Sequence, residues 1–159
     1  MKRLILIRHS KSSWRHEGLA DEFRPLNERG YSDALKIAVA LKKEKVRPDK
    51  IFCSPSVRTY STAYILAFSL RTGLDTIVLD DRLYDSGIEE HLKVIRSATD
   101  KIDDLILIGH NDTISKLVDY LSECEPILLS TSGYAIMRLK TDSWNIVGEG
   151  SFVLVGTSS

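Results

Sequence analysis

Leu4-Ile5-Leu6-Ile7-Arg8-His9 near the start of the chain and Leu105-Ile106-Leu107-Ile108-Gly109-His110 far along it decide the reading of this sequence. Each is an uninterrupted apolar run rich in β-favouring residues, the pattern of a strand buried on both faces of a parallel sheet. Both runs end at a histidine. Carboxyl ends of parallel strands share one edge, where ligands usually bind, so the two histidines are expected on one rim.

Working outward, residues 51–53 and 76–79 read as shorter strands. Over residues 28–43, Tyr31, Ala34, Leu35, Ala38 and Leu41 recur at three- and four-residue spacing and draw one helical stripe, and Lys42, Lys43 and Lys45 suit its C-terminal end. Further helices are predicted over 55–73, with Pro55 in the first turn, over 88–98 and over 112–121. Residues 134–139, 144–147 and 152–155 read as strands, the last two joined in a hairpin around Gly148-Glu149-Gly150. The alternation predicts an α/β fold: a three-layer sandwich with a mostly parallel central sheet flanked by helices and extra strands at the end. No linker or composition break divides the chain, so one domain over 1–159 is expected.

Composition removes several function classes. Among 159 residues, Lys+Arg 22 balance Asp+Glu 22, so no overall field draws nucleic acid or an anionic membrane, and any anion site must be local. Cys53 and Cys124 are too few for a disulfide scaffold or a four-cysteine zinc site, and Cys53 reads as a small buried hydrophobe. The apolar run at the N-terminus stops at Arg8, short of a signal-peptide core, and no run is long enough to span a bilayer. A soluble cytoplasmic protein, monomeric by default, is predicted. His16 and His91 have no partner at metal-ligand spacing, which predicts no metal and assigns them surface or capping roles. Gly-x-Ser-x-Gly and Gly-x-x-x-x-Gly-Lys are both absent, which removes the usual serine hydrolase and nucleotide hydrolase readings.

The strand over 51–53 runs into Ser54-Pro55-Ser56-Val57-Arg58, which sets an arginine in the first turn of a helix at the same rim as the histidines. Arg8, His9, Arg58 and His110 would make a cationic pocket suited to a tetrahedral oxyanion, and phosphoryl transfer is the indicated reaction class. A neutral imidazole can attack phosphorus and form a phosphohistidine that water later removes. One histidine would be the nucleophile and the other a charge stabiliser.

Four motifs in order carry a family resemblance: Arg8-His9-Ser10-Lys11-Ser12-Ser13-Trp14, Arg24-Pro25-Leu26-Asn27-Glu28-Arg29-Gly30, Ser54-Pro55-Ser56-Val57-Arg58-Thr59 with Thr62-Ala63, and Gly109-His110-Asn111. Together they resemble the histidine phosphatase superfamily, of phosphoglycerate mutase-like fold, and within it the small SixA-type phosphohistidine phosphatases. The resemblance implies that His9 is the phosphorylated nucleophile and that Arg8, Arg58 and His110 hold the phosphoryl oxygens. Arg24 matches a further basic phosphate contact. Asn27 is a candidate for phosphate contact, for capping the helix that starts at Glu28, or for both. Ser10 departs from the usual glycine or alanine, a change that a small hydroxyl should accommodate with an added hydrogen bond.

Larger members place an acid after the third strand, and Asp85 in Arg82-Leu83-Tyr84-Asp85 is the nearest candidate here. An alkoxide leaving group needs such an acid, worth about 10²- to 10⁴-fold, whereas an imidazole departs readily without one. The short stretch between Arg58 and Asp85 leaves no room for a lid, and an open pocket could admit a histidine on another protein. The resemblance therefore implies a cofactor-free phosphatase acting on a phosphohistidine-bearing protein, with a small phosphate ester as the alternative substrate. A non-catalytic phosphoprotein-binding module is the reading from another class.

Overall fold

In the computed structural model, which describes residues 1–158, the first apolar run lies in β1 (Arg3–Arg8). After it come α1 (Glu28–Lys43), β2 (Lys50–Cys53), α2 (Val57–Ser69), β3 (Ile77–Leu79) and α3 (Ile88–Arg96). The second run is β4 (Asp104–Gly109), followed by α4 (Thr113–Ser122), β5 (Tyr134–Leu139) and β6 (Phe152–Ser158). One sheet has the order β3-β2-β4-β1-β5-β6. β1, β2, β3 and β4 pair in parallel, and β5 is antiparallel to both β1 and β6.

Alternation within the two central runs builds the two faces of the sandwich, because successive side chains of a strand point to opposite sides. Leu4, Leu6, Leu105 and Leu107 pack with Leu92 and Ile95 of α3 and Leu117 and Leu121 of α4. Ile5, Ile7, Ile106 and Ile108 pack with Ile37 and Leu41 of α1 and Ala63 and Leu66 of α2. All eight strand residues are fully buried, each worth about 1.5–3 kcal/mol relative to exposure. No described helix is long and apolar enough to cross a membrane.

Register sets the site. Ile7 lies opposite Ile108 and Arg8 opposite Gly109, so His9 and His110 leave the sheet side by side, and the backbone N–H of His9 donates to Gly109 O at 3.1 Å. Cys53 of β2 is paired with Ile108, and Ser54 N donates to Ile108 O, which brings the start of α2 to the same edge.

Several expectations are corrected. The stripe of α1 buries Ala34, Ile37, Ala38 and Leu41, whereas Tyr31 and Leu35 are exposed. α2 starts two residues after Pro55, because Ser56 is the cap whose hydroxyl accepts from Thr59 N. Residues 144–147 are not a strand of a final hairpin. Residues 144–146 form a 3-10 turn in which the wholly buried Trp144 donates its indole N–H to Ile102 O and its backbone N–H to Asp100. Tertiary burial of that indole outweighs local β propensity, and β6 pairs with β5 instead.

The start of α1 braces the turn after His9. Asn27 caps the helix by accepting from Gly30 N at 2.8 Å, and Asn27 N donates to Lys11 O. A Cβ at Gly30 would fall 2.1 Å from that Lys11 oxygen. Alanine normally gains up to about 1 kcal/mol over glycine in a helix, but this overlap is with backbone and cannot relax by rotating a side chain. Gly30→Ala is expected to lose about 3 kcal/mol, a fall in Tm of roughly 6–12 °C. Thermal denaturation checks this, and an unchanged or raised Tm would refute it.

Candidate active site

The peptide after His9 is held on three sides. Ser10 N donates to Thr62 Oγ1 at 3.1 Å, Ser10 Oγ accepts from Ser132 Oγ at 2.7 Å, and Ser132 N donates to His9 O. Ser10 is fully buried, so the hydroxyl that distinguishes this sequence makes the added hydrogen bond expected of it. Arg58 enters from the first turn of α2 and is 6% exposed. His110 follows β4, and Asn111 ties the next turn by donating to Leu129 O and accepting from Ser115.

Arg8, His9, Arg58 and His110 line one pocket of about 540 Å³ together with Asp21, Tyr84, Asp85 and Asp112. The two imidazole centroids are 5.2 Å apart. His9 Nδ1 lies 2.8 Å from Ser10 O, which can only accept, so Nδ1 carries the proton and Nε2 is the basic nitrogen. Burial, then the charges of Arg58, Arg8 and Arg24, bring the His9 pKa down to about 4 against the pull of the Ser10 bond. The ring is therefore a neutral base at physiological pH.

His110 is neutral as well. Burial first, then His9 and Arg58, push it down to about 3. Its Nδ1 accepts from Arg58 Nη2 at 3.3 Å, and its Nε2–H donates to Ser54 Oγ at 2.9 Å. Positive charge in the resting pocket thus belongs to the arginines rather than to all four residues of the expected cationic set. Arg8 donates from Nη1 to Leu129 O, while its buried Nε–H has no protein partner among the described residues. A buried donor without a partner is costly, and a phosphoryl oxygen would satisfy it.

The remaining predicted residues are placed differently. Arg24 does not line the pocket: it stacks 3.3 Å above the Trp14 ring and bonds Ser13 O, Ser12 Oγ and Asp21 Oδ1. Three of its five N–H groups bond protein, so at rest it gives the pocket a bond to Asp21 and a charge felt at His9. Asn27 is outside the pocket too, and its carbonyl is used as the cap of α1. Asp85 lines the pocket from an exposed position with left-handed backbone (φ 49°). His91 is buried and lines the pocket, its Nδ1–H donating to Gly87 O at the start of α3 and its Nε2 without a protein partner among the described residues. Burial pushes the Cys53 thiol up to about 12, so it is no nucleophile.

Sequence reasoning missed Asp21 and Tyr84. Asp21 Oδ2 accepts from Arg58 Nη2 at 2.8 Å and from Tyr84 OH at 2.9 Å, and Asp21 O accepts from Arg58 Nη1 at 2.7 Å. Burial would raise the Asp21 carboxyl, but the bonds from Arg58 and Tyr84 outweigh it and bring it down to about 2. Tyr84 also sets its ring edge-on against His110 at 5.6 Å. The available signal was the spacing of Asp21 and Arg24, an acid three residues before a base in a motif already singled out.

The chain is similar to known proteins in sequence and in fold. Residues 4–91 match the histidine phosphatase superfamily (branch 1). An uncharacterised chloroplast protein of Arabidopsis thaliana is 31% identical over 98% of this chain and 72% of its own length. Phosphoserine phosphatase 1 of Hydrogenobacter thermophilus is 42% identical over a shorter stretch, 42% of this chain and 32% of that protein. Among solved structures, one provisionally described as the phosphohistidine phosphatase SixA from Agrobacterium tumefaciens superposes with a TM-score of 0.82 at 26% identity, covering 99% of this chain and 97% of that one. The chain belongs to the histidine phosphatase superfamily, branch 1, and its chemistry is that of a phosphatase of this superfamily.

Proposed function

We propose that this chain hydrolyses phosphate monoesters of small molecules through a phosphohistidine on His9. The observation that carries this reading is the neutral His9 ring, whose Nδ1 proton is committed to Ser10 O and whose Nε2 keeps its lone pair, in a pocket that Arg8 and Arg58 also line. Nε2 attacks phosphorus, the bond from phosphorus to the ester oxygen breaks, and that oxygen leaves with a proton from Asp85. Arg8 and Arg58 hold the non-bridging oxygens, whose charge the guanidinium groups offset, and His110 joins them by turning its Nε2–H from Ser54 Oγ to the phosphoryl group. Water then attacks phosphorus and returns a proton to Asp85, the P–N bond breaks, and neutral His9 and phosphate are left. These steps use groups of the chain and no metal.

A pocket of about 540 Å³ fits a small substrate, and the phosphoserine phosphatase of Hydrogenobacter thermophilus supports the same substrate class. Phosphohistidine on a protein is the second reading. It is favoured by the nearly end-to-end likeness to the Agrobacterium structure and by an imidazole leaving group that would not require Asp85. Either way the reading has one domain over residues 1–159, working as a monomer in the cytoplasm.

Single-turnover hydrolysis of phosphoserine, an aryl phosphate and a phosphohistidine-bearing protein, with chelator present, separates the two. Faster ester cleavage, slowed about 10²-fold by Asp85→Asn, is the expected result. Phosphohistidine as the fast substrate, indifferent to Asp85→Asn, would move the assignment to the second reading. Cleavage of neither would overturn both.

A further inference from the structure

Asp21 sits in a part of the site that the core does not hold. Every residue from Trp14 to Phe23 is exposed, and the Asp21 side chain itself is 51% exposed. Yet this carboxylate gathers Arg58, Tyr84 and Arg24 from three separate parts of the chain. A guanidinium has five N–H donors. In Arg58, one of Nη1 goes to Asp21 O, and those of Nη2 go to Asp21 Oδ2 and His110 Nδ1. Nε–H and one Nη1–H are left for an incoming anion. The orientation of the fork is therefore set by Asp21, and any phosphate that Arg58 binds must share it with a carboxylate already in place.

Two opposed effects follow. Holding the fork on both terminal nitrogens pre-positions it, and mis-positioning by about 1 Å can cost about 10²-fold in rate. A fixed negative charge beside the phosphoryl site also repels the phosphate dianion, in the ground state and as product. We propose that Asp21 is a positioning residue of this site, which aims Arg58 and, by competing with phosphate for its fork, keeps the product weakly bound. This rests on the phosphatase reading above and adds to it a device for product release. Asp21 is no general acid in this scheme, because it is a carboxylate engaged with two arginines.

The test is binding of inorganic phosphate by titration calorimetry, with steady-state kinetics on an aryl phosphate beside it. Asp21→Asn removes the charge and keeps an oxygen acceptor and the shape. It is expected to bind phosphate about five- to tenfold more tightly, the effect of one charge at a partly solvated site, while kcat and KM both fall. Asp21→Glu keeps the charge and is expected to hold phosphate as weakly as the parent. A merely structural role predicts the contrary: phosphate affinity unchanged or weakened in Asp21→Asn, with KM raised, and that result would overturn the proposal. A parent protein that cleaves no ester, but whose phosphate affinity still rises in Asp21→Asn, would remove the hydrolase reading and leave the role of Asp21 standing. A working hydrolase whose phosphate affinity ignores Asp21 would do the reverse.

Discussion

His9→Ala is expected to abolish turnover, by at least about 10³-fold in kcat, and to abolish the phosphoenzyme with it. The loss should be this large because the ring supplies the only bond from the chain to phosphorus in the proposed scheme, and neither neighbour can replace it. His110 is neutral but has its Nδ1 lone pair turned to Arg58 and its Nε2 proton turned to Ser54. Cys53 is buried as a thiol held far from ionisation. Rapid quenching with labelled substrate, followed by alkali, should retain phosphate on the parent chain and none on the variant. Label that persists in His9→Ala would place the nucleophile elsewhere. Stability carries a second signature. The folded ring titrates near 4 rather than 6.5, so below pH 6.5 the unfolded chain binds more protons and stability falls as the pH drops from about 6.5 towards 4. His9→Ala removes that contribution, so its Tm should decline less over this interval than that of the parent.

How far the sequence reveals this site depends on which contacts are local and which are not. The two apolar runs could be read because a strand buried on both faces leaves no polar residue in its interior, and each run ends at the residue that matters. Parallel pairing then aligns His9 with His110, and the short link from Cys53 to Arg58 carries the arginine to the same edge. These are properties of strands and of the first helical turn, and periodicity reports them. Asp21 and Tyr84 escaped because their roles exist only across long separations, Arg58 to Asp21 and Tyr84 to Asp21, and nothing in the exposed stretch around Asp21 predicts where it docks. Arg24 and Asn27 illustrate the converse. Both belong to a legible motif, yet the stack on Trp14 and the cap on Gly30 direct them to hold the loop and helix rather than to line the pocket. The strand expected over residues 144–147 is a turn because the wholly buried Trp144 indole has its acceptor at Ile102 O, which outweighs the strand preference of its neighbours.

Arg58→Ala should cost nearly as much in catalysis as loss of the nucleophile, about 10³-fold in kcat/KM. Arg58 is the point at which the parts of the site meet. It supplies charge to the pocket, donates to His110 Nδ1, and anchors Asp21 through two bonds. Removing it takes one guanidinium from the phosphoryl group and leaves Asp21 at the rim with Arg24 as its remaining cationic partner, so its negative charge is less well offset and repulsion is added to lost attraction. Arg58→Lys should recover only part of the loss, because an ammonium is a point charge that cannot bond Asp21 and His110 together and still keep donors for phosphate. The pH profile distinguishes this account from simple damage to the fold. Arg58 is among the charges that hold both imidazoles down. Catalysis needs His9 neutral, so kcat/KM of the parent should fall as the pH drops through about 4. In Arg58→Ala, each ring loses a positive neighbour, protonation becomes easier, and the acid limb should move to higher pH. In Arg58→Lys it should stay near its original position, because the charge remains. A limb that does not move in Arg58→Ala, or that moves equally in both variants, would mean that Arg58 acts on substrate alone and not on the protonation of the histidines beside it.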